Sequence, residues 1–126
     1  MTRLTIRIDF ANGSALGPGK IGLLERVHET GSIRKAAIGM KMSYRRAWLL
    51  LQALGEAFGA PLVSTATGGK AGGGARLTPL GHRVVKEYRA LEKATTRAGG
   101  RYLAALAGLT AHQTASKSAK KRSIRR

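Results

Sequence analysis

One stretch of the chain, residues 65–81, combines glycine and lysine in a pattern that can bind phosphate groups. Five of the seven residues from Gly68 to Gly74 are glycine, and Lys70 lies among them. Glycine lets backbone N–H groups approach an anion closely, and lysine adds a positive charge. Two structures use such a segment: a loop that cradles nucleotide phosphates, and the tip of a β-hairpin that contacts DNA.

The nucleotide-binding interpretation fails on three features of the sequence. A P-loop requires G-x-x-x-x-G-K followed by Ser or Thr, between a strand and a helix. Counted back from Gly69-Lys70, Ser64 occupies the place of the first glycine, and Ala71 stands where the Mg²⁺-binding hydroxyl should follow. More glycine comes next instead of the start of a helix. The sequence therefore favours the hairpin.

Short extended segments at residues 61–65 and 75–78 flank the glycines and predict a β-ribbon. A ribbon placed directly after a helix-turn-helix is a wing. Its tip would bring Lys70 and the backbone N–H groups of Gly69 and Gly72 to a DNA phosphate or into the minor groove. The alternative is a loop that contacts nothing.

Three short helices are predicted before the ribbon, over about residues 21–30, 33–40 and 44–58. Gly31 is a suitable left-handed C-cap for the first helix, and Ser32 and Ser43 are suitable N-caps for the second and third. The second and third helices form a helix-turn-helix, although a two-helix corner of any small α protein has the same outline. The residues expected in the core are Ile21, Leu24, Val27, Ile33, Ala36, Ala37, Met40, Ala47, Leu50, Leu51, Leu54, Phe58 and the lone Trp48.

The third helix is the candidate for the DNA major groove, where residues of its first turn would meet base edges. Arginine is the commonest reader of guanine, and this turn carries two arginines. The alternative is a solvated charged surface with the tyrosine packed at the corner. The expected contacts are Ser43, Tyr44, Arg45 and Arg46 to bases or phosphates, with Arg34, Lys35 and Lys41 on the DNA backbone.

Two further segments complete the expected fold, which is mainly α with a small β-hairpin wing. Residues 3–10 alternate apolar and polar side chains and predict a half-buried strand. Thr78-Pro79 begins a helix that reaches about residue 98, where Gly99-Gly100 ends it before a short helix over 101–109. The apolar stripe of the long helix predicts a homodimer, or alternatively packing on residues 21–30. The expected interface residues are Leu80, Val84, Tyr88 and Leu91.

The charge of the chain indicates a polyanionic partner. Twenty-three Lys and Arg against six Asp and Glu give a net charge of +17 at pH 7. Double-stranded DNA is the first candidate, followed by an anionic membrane surface and then by acidic proteins. Residues 112–126 carry basic residues and no acid, and are expected to be a disordered tail that follows a folded domain over 1–111.

Several kinds of function are not expected. The chain has no cysteine, its three histidines are scattered, and it lacks paired carboxylates or a nucleophile beside a base. We therefore expect no cofactor, no metal site and no enzymatic activity. The first residues lack the apolar region of a secretory signal, and no run of residues is apolar enough to span a membrane. A cytoplasmic protein is expected.

Four motifs resemble the N-terminal DNA-binding domain of the ModE family, the molybdate-responsive bacterial transcription regulators. They are G-S-I at 31–33, S-Y-x-x-A-W at 43–48, A-T-G-G-K-x-G-G-G-A at 66–75 and L-T-x-x-G at 77–81. The resemblance spans about residues 3–98, and LysR-type regulators share the scaffold more loosely. It implies a winged helix-turn-helix that dimerises through its long helix and binds palindromic operators.

Two departures from the family pattern affect what the resemblance implies. The regulators carry molybdate-binding domains after this domain, whereas a basic tail follows here, so molybdate binding within this chain is not expected. The family usually has Glu-Arg before A-T-G-G-K, where this chain has Ser64-Thr65. The second departure removes a charged pair beside the wing.

The sequence thus predicts a dimeric, sequence-specific DNA-binding regulator of transcription. One alternative is an architectural, nucleoid-type protein that coats DNA without reading it, which a palindromic binding site would exclude. The other is an interaction module for a separate molybdate-binding or transporter protein, which co-purification would reveal.

Overall fold

The computed structural model describes residues 2–66 and 74–111. Over these ranges the chain forms five helices and two antiparallel pairs of short strands, which confirms the expected fold class. Thr5–Ala90 is one compact unit, and the residues from Leu91 onward belong with the first few residues to a second. In chain order the elements are β1 (Ile8–Asp9), β2 (Ala15–Leu16), α1 (Pro18–Thr30), α2 (Ile33–Gly39), α3 (Tyr44–Phe58), β3 (Val63–Ala66), β4 (Gly74–Leu77), α4 (Pro79–Ala98) and α5 (Gly100–Gly108).

The strand predicted over residues 3–10 is confirmed in its pattern and is shorter in its hydrogen bonding. Ile6, Ile8 and Phe10 are half-buried, and the residues between them are exposed. Only β1 pairs with a second strand, in the register Ile8 opposite Leu16. A turn joins β1 and β2, with the side chain of Asn12 accepting the backbone N–H of Ser14 at 3.0 Å. The early turn limits the ladder to two residues on each strand.

Helices α1, α2 and α3 pack around a core of aliphatic side chains. Leu23, Leu24 and Val27 on α1 are fully buried, and Ala36 and Ala37 on α2 have almost no exposed surface. The small alanine side chains let α2 lie close to both of its neighbours. The predicted role of the alanine pair is therefore confirmed.

The predicted helix caps are present at the predicted residues. The backbone N–H of Gly31 donates to the carbonyl of Val27 at the end of α1, and Gly31 has a left-handed φ of 71°. The Oγ of Ser32 accepts the N–H of Lys35 at 3.0 Å at the start of α2. Because each cap satisfies backbone groups that the helix leaves without partners, the caps fix where α1 ends and α2 begins.

The predicted ribbon forms the second sheet, with β3 and β4 antiparallel and Ala66 opposite Gly74. The N–H of Ala75 donates to the carbonyl of Gly31 at 2.9 Å, which attaches β4 to the end of α1. The predicted tip residues Gly69, Lys70 and Gly72 lie outside the described residues.

A close contact at the start of α4 explains the glycine of the L-T-x-x-G motif. Thr78 Oγ1 donates to the carbonyl of Pro61 at 2.8 Å and accepts the N–H of Gly81 at 3.0 Å. These two bonds confirm Thr78 as the N-cap of α4 and join the helix to the chain before β3. A Cβ on Gly81 would overlap the carbonyl of Leu62, so only glycine fits this position.

The first half of α4 packs into the core of its own chain, which corrects part of the expected dimer interface. Val84 is 8% exposed and Tyr88 is 2% exposed. The hydroxyl of Tyr88 donates to the carbonyl of Ile6 at 2.6 Å. The chain therefore covers these two side chains itself. Leu80 is half-buried and Leu91 is 39% exposed.

A bidentate ion pair holds α4 against α1. The Nε of Arg89 donates to Oε2 of Glu25 at 2.9 Å, and Nη2 donates to Oε1 at 2.7 Å. The hydrogen bond from Arg89 lowers the pKa of Glu25 below its ordinary value, against the opposing effect of burial.

Replacing Gly81 by alanine should lower the free energy of unfolding by about 1–3 kcal/mol, the usual cost of forcing atoms into a packed site. The new Cβ would push against the backbone of Leu62. Gly19→Ala is the matched control, because a Cβ on Gly19 in α1 meets no atom within 4 Å. Thermal unfolding followed by circular dichroism measures both variants. Equal melting temperatures for the two variants would contradict the close contact.

Replacing Glu25 by glutamine should destabilise the fold at neutral pH by about 1 kcal/mol, a figure kept small because the pair is partly exposed. The depressed folded pKa of Glu25 stabilises the protein above the unfolded pKa, and this contribution is lost as pH falls through the folded value. Urea titrations at neutral and acid pH should show a difference that disappears in acid. Glu29→Gln, on the exposed end of α1, is the control. A difference that is independent of pH would contradict the ion-pair account.

Candidate nucleic-acid interface

The first turn of α3 is presented at the surface by the corner that precedes it. The Oγ of Ser43 accepts the N–H of Arg46 at 3.0 Å, so α3 begins at the predicted cap. Tyr44, Arg45 and Arg46 are all exposed. No acidic residue lies in this turn. Since the N-terminus of a helix carries partial positive charge, the two arginines and the helix dipole together attract anions.

A cation–π contact links α2 to this turn. The guanidinium carbon of Arg34 lies 4.8 Å from the centroid of the Tyr44 ring. Lys35 is exposed one residue further along α2. The structure therefore brings Arg34 of α2 together with the arginine-bearing turn of α3.

The region around the corner is entirely cationic. Between Glu29 and Glu56 the sequence contains no acidic residue. Because no carboxylate neutralises them within the helix-turn-helix itself, the basic side chains produce a continuous positive potential. They are Arg34, Lys35, Lys41, Arg45 and Arg46, all of which are exposed.

Lys41 has an unusual backbone conformation in the corner between α2 and α3. Its φ is 58°, in the left-handed region that non-glycine residues rarely occupy. The N–H of the next residue, Met42, donates to the carbonyl of Ala37 at 3.0 Å, which closes the corner. A lysine therefore occupies a position at which glycine would fit with less strain.

The expectation that Trp48 lies in the core is wrong, because Trp48 is 44% exposed. Ala47, Leu51 and Leu54 already form the buried stripe of α3. Trp48 follows Ala47 by one residue, which rotates it by about 100° around the helix, out of that stripe. The preference of tryptophan for burial gave the wrong prediction where helical spacing gave the right one.

The exposed face of α3 contains residues that the sequence analysis did not select. Leu49 is 48% exposed and Gln52 is exposed. Arg45, Trp48, Leu49 and Gln52 are spaced i, i+3, i+4 and i+7, so they share one face of the helix, away from the buried stripe. That spacing, counted from Arg45, is the signal that could have identified them.

Two depressions border the exposed face of α3. A groove of about 550 Å³ lies between α3 and β3, with Trp48 and Gln52 on one side and Val63 and Thr65 on the other. A smaller depression of about 280 Å³ is lined by the first turn of α3 and by Leu49 and Leu50. The recognition face is therefore a ridge between two hollows.

The wing strands add one cation that was not selected from the sequence. Arg76 on β4 is exposed and lies opposite Ser64 on β3. Ser64 belongs to the Ser-Thr pair that replaces the Glu-Arg of the ModE pattern. The strand alternation, with Ala75 and Leu77 buried, is the signal that predicts an outward side chain at position 76.

Two other searches cover the same described part of the chain. Across residues 2–66 and 74–111, no cluster of three or more His, Cys, Asp or Glu side chains could hold a metal ion. None of the helices described is long and apolar enough to cross a membrane.

Comparisons with known proteins agree with this geometry. The family model described as bacterial regulatory helix-turn-helix protein, lysR family, matches residues 19–82. The chain is 44% identical over 80 residues to the molybdenum-pterin-binding protein MopB of Rhodobacter capsulatus, covering 64% of this chain and 30% of that protein. It is 39% identical over 92 residues to the molybdenum transport protein ModE of Azotobacter vinelandii, covering 73% and 33%. The chain thus spans about a third of the length of these relatives, and the resemblance to ModE-type regulators is confirmed.

The fold is also similar to that of a solved structure with DNA. The chain matches the crystal structure of a CbnR_DBD–DNA complex with a TM-score of 0.55 and 25% sequence identity. The match covers 69% of this chain and 94% of that one. The winged helix-turn-helix architecture expected from the sequence is therefore confirmed.

Replacing Lys41 by glycine should raise the free energy of unfolding by about 1 kcal/mol, because glycine adopts a left-handed φ without steric strain. The same change should weaken binding to every DNA duplex and reduce the log–log salt slope by about 1, as expected for one lost phosphate contact. Urea unfolding and fluorescence anisotropy with labelled duplexes measure the two effects. Lys35→Ala is the control, which should weaken DNA binding without the gain in stability. An unchanged salt slope for Lys41→Gly would contradict the phosphate contact.

Proposed function

The chain belongs to the lysR family of bacterial regulatory helix-turn-helix proteins, and from this premise we propose that it is a sequence-specific, double-stranded-DNA-binding regulator of transcription. One observation carries the proposal. The first turn of α3 presents two exposed arginines at a capped, positive helix end, within a helix-turn-helix that has no acidic residue. A surface of that shape and charge fits the major groove of DNA.

We assign different roles to the cations of the interface. Arg45 lies on the exposed face of α3 opposite the buried stripe and would read a guanine edge. Arg46 and Tyr44, on either side of it, would contact a neighbouring base or a phosphate, as would the hydroxyl of Ser43. The residues that would bind the sugar–phosphate backbone are Arg34, Lys35 and Lys41 in the corner, Arg76 on the wing, and Lys70 with the backbone N–H groups of Gly69 and Gly72 at its tip.

The exposed apolar residues that follow the core-packed half of α4 support a homodimer. Leu91 on α4 and Tyr102, Leu106 and Leu109 on and after α5 are exposed to solvent. Exposed apolar surface of this kind is typical of an interface between proteins. We propose that a second copy covers Leu91, with Leu80 at its edge. Two copies related by a two-fold axis would bind a palindromic operator.

The genes that such a regulator controls are suggested by its relatives. Their names connect those proteins with molybdenum transport and molybdenum-pterin binding. We propose that this chain regulates genes for the uptake or use of molybdenum, acting in the cytoplasm, where the bacterial chromosome lies. We assign no molybdate site and no catalytic role to the described residues. Basic residues 112–126 would add affinity for any DNA.

The test is a selection from a pool of random DNA duplexes by the purified full chain at near-physiological salt, followed by sequencing. The account predicts a two-fold symmetric motif with half-sites about one helical turn apart. Sites of this kind upstream of molybdenum-related genes would support the proposed targets. Uniform recovery without a motif would contradict sequence-specific regulation and would indicate an architectural protein that coats DNA, which the net charge of +17 would also suit.

Two variants carried through the same selection separate reading from attraction. Arg45→Ala should keep the motif but relax the preference at one base pair in each half-site, at a cost of about 1–3 kcal/mol for the preferred base. A chain truncated after Ala111 should keep the whole motif and lose affinity equally for all sequences, with a shallower salt dependence. A truncated chain that lost the motif would contradict this division of roles.

A further inference from the structure

Leu49 is an apolar side chain at the centre of a cationic surface. It is 48% exposed, whereas Leu51, two residues later on the same helix, is 8% exposed. A single exposed leucine is common in proteins. The position of Leu49 is what requires an explanation, because it lies on the face of α3 that carries Arg45, between two hollows.

The geometry of the helix fixes where Leu49 would lie on DNA. It follows Arg45 by four residues, so it lies about one helical turn, roughly 5.4 Å, further along α3 on the same face. Leu49 and Arg45 line the same depression at the start of α3. Base pairs are stacked about 3.4 Å apart. A groove-reading Arg45 therefore places Leu49 one or two base pairs away.

The chemistry of the major groove leaves one apolar partner for such a side chain. Adenine, guanine and cytosine present hydrogen-bonding groups there, whereas thymine adds a C5-methyl group. A leucine packed on a polar base edge would remove water from that edge without replacing its hydrogen bonds, which is unfavourable. Leucine packed on the thymine methyl buries apolar surface on both sides.

We propose that Leu49 is a specificity-determining residue that reads the methyl group of a thymine next to the base pair read by Arg45. The inference rests on the proposed function, since it requires α3 to lie in the major groove. A protein partner suits this surface less well, because no acidic residue lies between Glu29 and Glu56 and the surrounding cations favour a polyanion. Trp48, at 44% exposure on the wing side of Leu49, would pack beside the sugar of the same strand.

Removal of single methyl groups from DNA tests the proposal directly. The duplex that the wild-type chain selects is resynthesised with deoxyuridine in place of each thymine in turn, symmetrically in both half-sites. Fluorescence anisotropy gives the dissociation constant of each duplex. One position per half-site should bind about fourfold more weakly, the effect of about one methyl-sized group.

The same duplexes are then measured with three variants. Leu49→Ala should bind the thymine duplex about fivefold more weakly, by loss of buried apolar contact, and should show no further loss with deoxyuridine. Leu49→Met keeps an apolar side chain and should retain the deoxyuridine effect. Ile38→Ala is the matched control: Ile38 is 69% exposed on α2, off the recognition helix, and its removal should leave the deoxyuridine effect unchanged.

The outcomes separate this inference from the proposed function. If the wild type binds its selected duplex far better than a scrambled one but no thymine is sensitive to deoxyuridine, the assignment of Leu49 is wrong and sequence-specific binding stands. A deoxyuridine effect that persists in Leu49→Ala would also overturn it, because another residue would then read the methyl. Equal binding of selected and scrambled duplexes would overturn both proposals.

Discussion

The approach of α3 to α2 through small side chains is the constraint on which the interface depends. Ala36 and Ala37 on α2 and Ala47 on α3 have almost no exposed surface. Side chains of this size let the two helices lie close together, and a larger one at any of these positions would displace α3 from the core. Because the buried stripe of α3 is fixed by this packing, the opposite face, with Arg45 and Leu49, is fixed as well. The identity of the exposed residues then determines what the face can read.

The wing is attached to the same core by backbone contacts. Ala75 bonds to the carbonyl that ends α1, and Thr78 bonds to the carbonyl of Pro61 while it caps α4. Gly81 lets α4 pass directly over the backbone of Leu62. These contacts hold both strands of the wing beside α3, so the groove between them has two fixed walls. An interface built in this way requires little rearrangement to meet DNA, and less ordering entropy is then lost on binding.

Local signals explain why much of this fold could be predicted from the sequence. The serine and glycine caps and the Thr78-Pro79 start depend on neighbouring residues, and each is found where the pattern placed it. The incorrect expectations depended on distant contacts. Tyr88 is buried because its hydroxyl bonds to Ile6, 82 residues away, which no local pattern reveals. Leu49 and Arg76 were missed because exposure singles them out only after the buried stripe or strand alternation is known.

The central claim is that α3 enters the major groove, and protection of guanine N7 from methylation by dimethyl sulfate measures this most directly. N7 is exposed in the major groove only, and it is an atom to which a bidentate arginine binds. The account predicts guanines protected in two patches about one helical turn apart on the selected duplex, with the protection at one guanine of each patch lost in Arg45→Ala. Tight binding of the full chain with every guanine N7 still reactive would contradict it.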